Sequence, residues 1–269
     1  MRLLGAEVAF GPVESGVERA LVDMPLGEGR LVAGRAGAVL RIPGVATFAI
    51  QDGRRVAVDA CDGVEPGVLD AWLSGLVASL LLAQRGNFAL HANLVDLGGV
   101  AVALAGERGA GKTTASLLLA GRGGHVLGDD FLPLDSVNGT VTHRTAGRSL
   151  RIDPGTAAAL GVESMAAEGA EKLRVPQPAA APGTLHRIVV LAEARVAEVE
   201  SGRLSGAEAV RAVLANVYRG RILRRAWRPE LFEWAGAVAA RVPVHVVRRP
   251  AGLWTGDEVA AAVEAIAGE

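Results

Sequence analysis

The stretch GERGAGKTTASLLLAGRGGHVLGDD, residues 106–130, decides the fold of this chain. It begins with a glycine-rich segment, continues through Lys112 into an apolar run and ends in two aspartates. Gly106 to Thr113 fits the Walker A pattern G-x-x-x-x-G-K-[ST]. The apolar run VAVALA precedes the pattern and SLLLA follows it. A strand, a glycine-rich loop and a helix in this order are the context in which the pattern binds nucleotide phosphates.

The chemistry of a phosphate site explains each part of this loop. Gly106, Gly109 and Gly111 permit the backbone angles and the close approach that let N–H groups surround a phosphate. We expect Lys112 to reach the β- and γ-phosphate oxygens of ATP and the Thr113 hydroxyl to bind Mg²⁺. The predicted nucleotide-binding residues are Gly106, Glu107, Arg108, Gly109, Ala110, Gly111, Lys112, Thr113 and Thr114. The alternative interpretation is a glycine-rich turn between a strand and a helix that binds no ligand.

Composition limits the partners and the compartment. The formal net charge is -1, which gives no reason to expect a nucleic acid or a membrane surface as partner. Of the 28 Lys and Arg residues only Lys112 and Lys172 are lysines, and Lys112 stands where a phosphate site needs a compact ammonium. The lone Cys61 fits a reducing compartment, and the uncharged run at residues 71–83 is too short to span a bilayer. Because Glu7 lies close to the first residue and no apolar leader follows, we expect a cytoplasmic protein.

Polar residues at the end of one predicted strand and within another are candidates for a catalytic role beside the loop. Asp129 and Asp130 end a short apolar strand, where an acid in phosphate-loop proteins usually helps to hold Mg²⁺. A second acid beside it could accept a proton from an attacking hydroxyl. The alternative is one metal-supporting aspartate followed by a turn-capping one. His91, on the strand before the loop, is by residue type alone more typical of a structural histidine.

The rest of the chain predicts two regions. Residues 1–87 read as a β-rich N-terminal region with a hairpin turn at Asp52-Gly53 and a linking helix from Pro66 to Gln84. Residues 88–269 alternate strands and helices, which predicts an α/β domain with a mixed sheet and flanking helices. Within it, FALHANLVDL reads as one strand, residues 154–160 as a short helix and residues 163–184 as a surface loop. A hairpin is expected at Asn138-Gly139, and a capping box is expected at Ser205-Gly206-Ala207-Glu208.

The segment LHANLVDLGGVAVALAGERGAGKTTASLLLAGRGGHVLGDDFLPLD resembles the core of bacterial HPr kinase/phosphorylase, and more closely its short relatives. The resemblance covers about residues 88–135 and combines four features in order. These are His91, the phosphate loop, the turn Arg122-Gly123-Gly124-His125 and the pair Asp129-Asp130. It implies a phosphate-loop kinase fold with ATP and Mg²⁺ as cofactors.

The same resemblance implies roles for individual residues. Lys112 would neutralise the transferring phosphoryl group, Asp130 would act as general base, and His91 would be its active-site partner. Thr113 and Asp129 would serve the metal, whereas His125 would be structural. The chain departs from the family after the Asp-Asp pair: where the family carries a metal-binding glutamate, this sequence reads SLRIDPG, and Asp153 is the candidate substitute. This difference argues against HPr as the acceptor and against the phosphorylase reaction.

These observations together predict an ATP- and Mg²⁺-dependent kinase that phosphorylates a serine hydroxyl. The acceptor would be a peptide, a small protein or a small molecule. The short relatives resemble proteins encoded with peptide-modification machinery, lasso peptides included, so a ribosomally made peptide is one expected acceptor. The alternatives are a nucleotide-binding accessory protein that transfers no phosphate and a simple nucleotide hydrolase. The sequence leaves a homo-oligomer open.

Overall fold

The structure is a computed structural model of mixed α/β type, and it describes residues 1–13, 17–137, 139–144, 150–152, 155, 157, 173–175 and 181–269. The chain divides into two compact units. The first contains Met1–Phe88 and Arg219–Trp234, and the second contains Ala89–Tyr218 and Ala235–Glu269. The predicted domains, residues 1–87 and 88–269, stay a prediction. They differ from the two compact units because they place Arg219–Trp234 in the second domain.

The described strands that precede residue 61 form one sheet in the first unit. They are β1 (Arg2–Leu3), β2 (Ala6–Phe10), β3 (Val22–Leu26), β4 (Gly29–Ala33), β5 (Gly37–Ile42), β6 (Ala46–Gln51) and β7 (Arg55–Ala60), arranged in the order β1-β2-β7-β6-β5-β4-β3. Phe48 and Ile50 of β6 are fully buried. The hairpin predicted at Asp52-Gly53 is confirmed, because β6 pairs antiparallel with β7 and both turn residues have positive φ, as a type I′ turn requires.

A helix, α1 (Pro66–Ala83), follows this sheet and contains a π-helical segment at Leu73–Val77. Pro66 lies in its first turn, where a missing N–H breaks no helical hydrogen bond. Among the described residues α1 is the one helix that is long and apolar enough to cross a membrane, judged by length and composition alone. At 18 residues it extends beyond the uncharged run at residues 71–83, which is by itself too short for this. Just over half of it is buried within the fold, and core helices of soluble proteins pass the same test.

From residue 88 onward the described elements include both strands and helices, but they occur in runs and do not alternate strictly as the sequence predicted. In chain order they are β8 (Phe88–Leu90), β9 (Ala92–Leu97), β10 (Val100–Ala105), α2 (Lys112–Gly121), β11 (His125–Gly128), β12 (Leu132–Val137), β13 (Thr140–His143), β14 (Leu150–Ile152), β15 (Leu173–Val175), β16 (Gly183–Thr184), β17 (Arg187–Ala194), β18 (Glu200–Leu204), α3 (Gly206–Ala215), α4 (Gly220–Leu223), α5 (Arg228–Ala239), β19 (Val244–Pro250) and α6 (Gly256–Gly268). The mixed sheet that the sequence predicts is present in the second unit.

This main sheet has the order β11-β9-β10-β17-β19-β18 among the described strands. β10 pairs parallel with β17, and β17 pairs parallel with β19. β9 is antiparallel to both β10 and β11, so β10 and β11 run in the same direction. The carboxyl ends of β10, β11, β17 and β19 therefore meet at one edge, together with the amino end of β9. In open α/β sheets this is the edge at which ligands bind.

Apolar packing fixes the helix that follows the glycine-rich loop. Leu119 of α2 and Val263 of α6 are fully buried, in a core with Leu104 and Val189 of the sheet. The guanidinium of Arg122 donates to Asp257 Oδ1 at 2.7 Å and to a carboxylate oxygen of α6, so the end of α2 is tied to α6. Burial of such side chains contributes roughly 1.5–3 kcal/mol each, which gives α2 a fixed position under the site.

The structure corrects two predictions of local structure. FALHANLVDL is two strands, β8 and β9, which belong to different sheets and meet at His91. The helix α3 begins after Ser205, but the Ser205 side chain makes no capping hydrogen bond, so the capping box is absent. The backbone of Ser205 is extended, and the helix begins without side-chain assistance.

Some predictions lie partly or wholly outside the described residues. Asn138 lies outside them, although β12 and β13 pair antiparallel on both sides of the predicted turn. Residues 154–160, predicted as a helix, are outside them except Gly155 and Ala157, and Asp153 is outside as well. In the predicted loop at residues 163–184, residues 173–175 form β15, which pairs antiparallel with β14.

Candidate functional site

The glycine-rich loop connects β10 to α2 at the edge of the main sheet where β10, β11, β17 and β19 end. Gly106, Gly109 and Gly111 all have positive φ, of 141°, 87° and 98°. At Gly106 space also demands glycine, since an added Cβ would lie 2.5 Å from the Leu191 carbonyl oxygen. The sequence-predicted reason for these glycines therefore applies at each position, and the loop is shaped by backbone angles that other residues rarely adopt.

Lys112 is the first residue of α2 and is only 8% exposed. Its ammonium donates to the carbonyl oxygens of Gly106 at 2.9 Å and of Glu107 at 3.2 Å. A buried ammonium is stable only with such acceptors. The side chain thus folds back over the loop and holds a positive charge beside the amino end of α2, where the helix dipole is also positive.

Asp130 faces His91 at the same edge. His91 Nε2 lies 2.8 Å from Asp130 Oδ1, and the two side chains are 33% and 37% exposed. The pair is accessible to a second substrate, yet its geometry is set by a direct hydrogen bond. The structure therefore brings together the two residues that the resemblance linked as base and partner.

The backbone around His91 explains its position. The His91 N–H donates to the Asn216 carbonyl at 2.7 Å, and the Tyr218 N–H donates to the Ala89 carbonyl at 2.8 Å. Residues 89–91 thus pair with residues 216–218, and this pairing falls where β8 ends and β9 begins. These two backbone hydrogen bonds therefore hold the chain at His91 against a segment that is remote in the sequence.

A buried polar network, which sequence reasoning missed, supports Asp130. Asp130 has a φ of +64°, an uncommon angle for a residue with a side chain. Its N–H donates to Asn93 Oδ1 at 3.3 Å. Asn93 is fully buried on β9, and its Nδ2 donates to Ser116 Oγ at 3.1 Å. Ser116 Oγ donates in turn to the Lys112 carbonyl at 2.9 Å, so the chain of bonds runs from Asp130 to the first turn of α2.

Two aromatic rings that the sequence did not reveal, those of Tyr218 and Phe131, lie beside the His91–Asp130 pair. Tyr218 lies edge-to-face with His91 at 6.1 Å between ring centroids and with Phe131 at 5.0 Å. Phe131 is buried next to Asp130 in the chain. The polar residue His91 within an apolar strand pattern was the one sequence signal for these ring contacts. It could not identify Tyr218 as the partner, because residue 218 is remote in the sequence.

The remaining predicted residues are placed as follows. Asp129 is buried, with 6% exposure, and Thr113 is half-buried in the first turn of α2. Glu107, Arg108 and Gly109 are exposed in the loop, Ala110 is buried, and Gly111 and Thr114 are half-buried. His125 is exposed on β11, away from any described catalytic contact.

The described residues contain no group of three or more His, Cys, Asp or Glu side chains arranged to hold a metal ion. A Mg²⁺ ion that is bound together with a nucleotide usually takes one or two ligands from the protein and the rest from phosphates and water. Thr113 and Asp129 are ligands of the right chemical type, since Mg²⁺ prefers oxygen. Their metal role stays a prediction.

Comparisons with known proteins leave the family open. No family model matches the chain, and no curated protein matches it. Among solved structures the chain is similar to the Hpr(Ser) kinase/phosphatase from Coxiella burnetii, with 12% identity over 66% of this chain and 92% of that chain. The TM-score is 0.35. A likeness of this strength carries no argument about mechanism or substrate.

Proposed function

We propose that this protein is an ATP- and Mg²⁺-dependent kinase that transfers the γ-phosphate to a serine hydroxyl of a peptide, a small protein or a small molecule. The observation that supports it most is the 2.8 Å contact between His91 and Asp130 at the sheet edge that carries the glycine-rich loop. A loop for phosphates alone fits a binding protein or a hydrolase. A partly exposed carboxylate oriented by a histidine beside that loop fits the deprotonation of an acceptor hydroxyl.

The loop residues would bind ATP, which supplies the phosphoryl group. Backbone N–H groups from Gly106 to Thr113 would hold the phosphates, and the Lys112 ammonium would move from the loop carbonyls to phosphate oxygens. Thr113 and Asp129 would position Mg²⁺, directly or through water. Placing the reactants and neutralising charge accounts for most of the catalysis in such a site.

Asp130 would take the proton from the acceptor. As the serine oxygen bonds to the γ-phosphorus, the bond from that phosphorus to the β,γ-bridging oxygen breaks. ADP then leaves with the electron pair, and the serine proton passes to the Asp130 carboxylate. His91 would keep the accepting oxygen of Asp130 directed at the hydroxyl. A serine on a ribosomally made peptide, of the lasso type among others, is the acceptor class that the sequence resemblance supports.

The test is transfer from γ-labelled ATP in the presence of Mg²⁺ to serine peptides, each with a Ser→Ala counterpart. We expect Asp130→Asn to bind ATP normally and to lose about 100- to 10,000-fold in transfer rate, the usual contribution of a general base. Lys112→Ala should lose both phosphoryl transfer and ATP binding. Asp70→Asn, the same change at an exposed residue of α1, is the matched control and should leave both measurements unchanged.

Two outcomes would contradict the kinase, and a third would contradict only the assignment of Asp130 as its base. ATP binding without turnover would support an accessory protein, and release of inorganic phosphate without labelled acceptor would support a hydrolase. A normal transfer rate in Asp130→Asn would remove this carboxylate from the role of base.

A further inference from the structure

A small cavity adjoins the glycine-rich loop on the side away from Asp130. Its volume is about 130 Å³. One wall is the loop and the first turn of α2, and the other is the segment between β19 and α6. The lining of the cavity includes Gly109, Thr114, Arg249, Leu253, Trp254 and Thr255. Pockets that bury a whole ligand usually measure about 300–1,000 Å³, so this cavity fits only a part of a nucleotide.

The order of strands places this cavity and Asp130 on opposite sides of the glycine-rich loop. The loop follows β10, whereas Asp130 follows β11, two strands to one side. Trp254 follows β19, two strands to the other side. A triphosphate held by the loop with its γ-phosphate towards Asp130 therefore directs its α-phosphate towards the cavity. Thr114, on the cavity wall, comes two residues after Lys112 in the chain.

Trp254 offers an aromatic surface in this cavity. The indole is held against Gly256 at the start of α6, where an added Cβ would lie 3.1 Å from Trp254 Cζ2. Yet Trp254 is 60% exposed and its neighbour Leu253 is 59% exposed. These two large apolar side chains both line the cavity and are therefore available to contact a ligand in it.

Polar groups complete the cavity. The Arg249 guanidinium pairs with Glu193 and lies 3.5 Å from the Gly109 carbonyl oxygen, so it is fixed beside the loop. Thr255 Oγ1 has no hydrogen-bond partner among the described residues and is enclosed. After rotation about its Cα–Cβ bond this hydroxyl could pair with a polar atom of a ligand. An aromatic surface with a few polar groups is the usual composition of a site for a heteroaromatic ring.

We propose that this cavity binds the base of the nucleotide, with the base stacked on the Trp254 indole. The proposal rests on the phosphate-loop function above and adds the site for the other end of the same ligand. Stacking on Trp254 provides affinity for the base. Arg249 and Thr255 line the same cavity as polar groups that can contact the base edge or the α-phosphate.

The experiment compares the binding of Mg²⁺-ATP with that of Mg²⁺-tripolyphosphate by isothermal titration calorimetry. Tripolyphosphate carries the phosphates and lacks the base. Stacking of a base on an aromatic side chain typically changes affinity by about tenfold or more. We therefore expect Trp254→Ala to weaken ATP binding about tenfold and to leave tripolyphosphate binding unchanged. Trp254→Phe keeps an aromatic ring and should retain most of the ATP affinity.

Phe232→Ala is the matched control, because Phe232 is exposed to a similar extent and belongs to the first unit. Phe232→Ala should change the affinity for neither ATP nor tripolyphosphate. Equal affinity of the wild-type protein for ATP and tripolyphosphate, or an unchanged ATP affinity in Trp254→Ala, would overturn the base site while the phosphate loop stands. An equal loss for both ligands in Trp254→Ala would also overturn it. Failure of the wild-type protein to bind either ligand would overturn the proposed function as well.

Discussion

Two turns at one edge of the main sheet are stabilised in different ways. The loop at residues 106–111 takes its shape from its own glycines, which reach positive φ at no steric cost. The turn at Asp130 has positive φ without a glycine, and its N–H is held by Asn93 from another strand. The first turn is encoded locally, and the second depends on a side chain 37 residues earlier.

The difference matters for the chemistry proposed at each place. A phosphate cradle needs backbone N–H groups, and glycine exposes them. A general base needs a side chain, so glycine is excluded at Asp130 and the strain must be offset by surrounding contacts. The Asn93–Ser116 pair connects the two turns, because Ser116 bonds to the carbonyl of Lys112.

The largest expected effect is at Gly106. The change Gly106→Ala would put a Cβ 2.5 Å from the Leu191 carbonyl oxygen and would also strain the backbone at φ 141°. We expect ATP affinity to fall by about a hundredfold or more, since a displacement of about 1 Å in a positioning segment can have that effect. Calorimetric titration with ATP measures it.

Gly98→Ala separates strain from the clash at Gly106. Gly98 also has positive φ, at 65°, but an added Cβ there meets nothing within 4 Å. This control should lower stability by roughly 1 kcal/mol and leave ATP binding unchanged. Normal ATP binding in Gly106→Ala would contradict the view that the loop shape is fixed locally.

The next effect is at Asn93, which tests the turn held from a distance. In Asn93→Leu the Asp130 N–H loses its bond to Asn93 Oδ1, and Ser116 Oγ loses the donor Asn93 Nδ2 while it keeps its own bond to the Lys112 carbonyl. We expect the free energy of unfolding to fall by about 1–3 kcal/mol. Because Asp130 would lose its position, kcat for phosphoryl transfer should fall about tenfold or more while the KM for ATP stays near normal.

Steady-state kinetics and urea denaturation of this variant test the role of Asn93 as a positioning residue. A loss of stability with an unchanged kcat would make Asn93 purely structural. A rise in the KM for ATP with an unchanged kcat would place its effect at the phosphate loop and contradict the comparison.

A smaller effect is expected from Ser116→Ala. This change removes the acceptor of Asn93 Nδ2 but leaves the bond from Asp130 N–H to Asn93 Oδ1. We expect a stability loss of about 1 kcal/mol and a transfer rate within about threefold of normal. The double variant with Asn93→Leu should then lose less than the sum of the single changes, because the two residues share one hydrogen bond. Strict additivity would show that the network does not act as a unit.

The same contrast explains how much the sequence could predict. The loop, α2 and the hairpin at Asp52-Gly53 follow patterns within a few residues, and the structure places them where those patterns indicated. The proximity of His91 and Asp130 came from a family resemblance, and strand periodicity alone did not give it. The local parts of the candidate site could therefore be predicted from the sequence.

The rest depended on contacts between distant segments. Asn93 sits in an apolar strand pattern, and only the tertiary pairing reveals that it bonds to Asp130 and Ser116. The break at His91 arises because residues 216–218 pair with the chain there. At Ser205 the sequence signal was present, but the side chain does not form the capping bond, so a local pattern was wrong as well.

The smallest effect is expected at a buried polar side chain that lacks the hydrogen bonds formed by Asn93. His143 on β13 is 3% exposed, and its Nδ1 has no hydrogen-bond partner among the described residues. Burial first, and then the nearby His186, lowers the pKa of His143 below its ordinary value of 6.5. The folded protein therefore keeps this ring neutral where the unfolded chain binds a proton.

It follows that the His143 contribution to stability is lost as the pH falls through about 6.5, the unfolded value, and continues to be lost down to the lower folded pKa. The change His143→Gln removes this titration. Urea denaturation at pH 7.5 and pH 5.5 should show a smaller acid loss in the variant than in the parent protein. Burial also lowers the pKa of His245, so part of the acid loss should remain. An unchanged pH dependence in His143→Gln would mean that the buried ring is hydrated or paired in solution. His143 would then resemble Asn93, whose Oδ1 and Nδ2 both form hydrogen bonds.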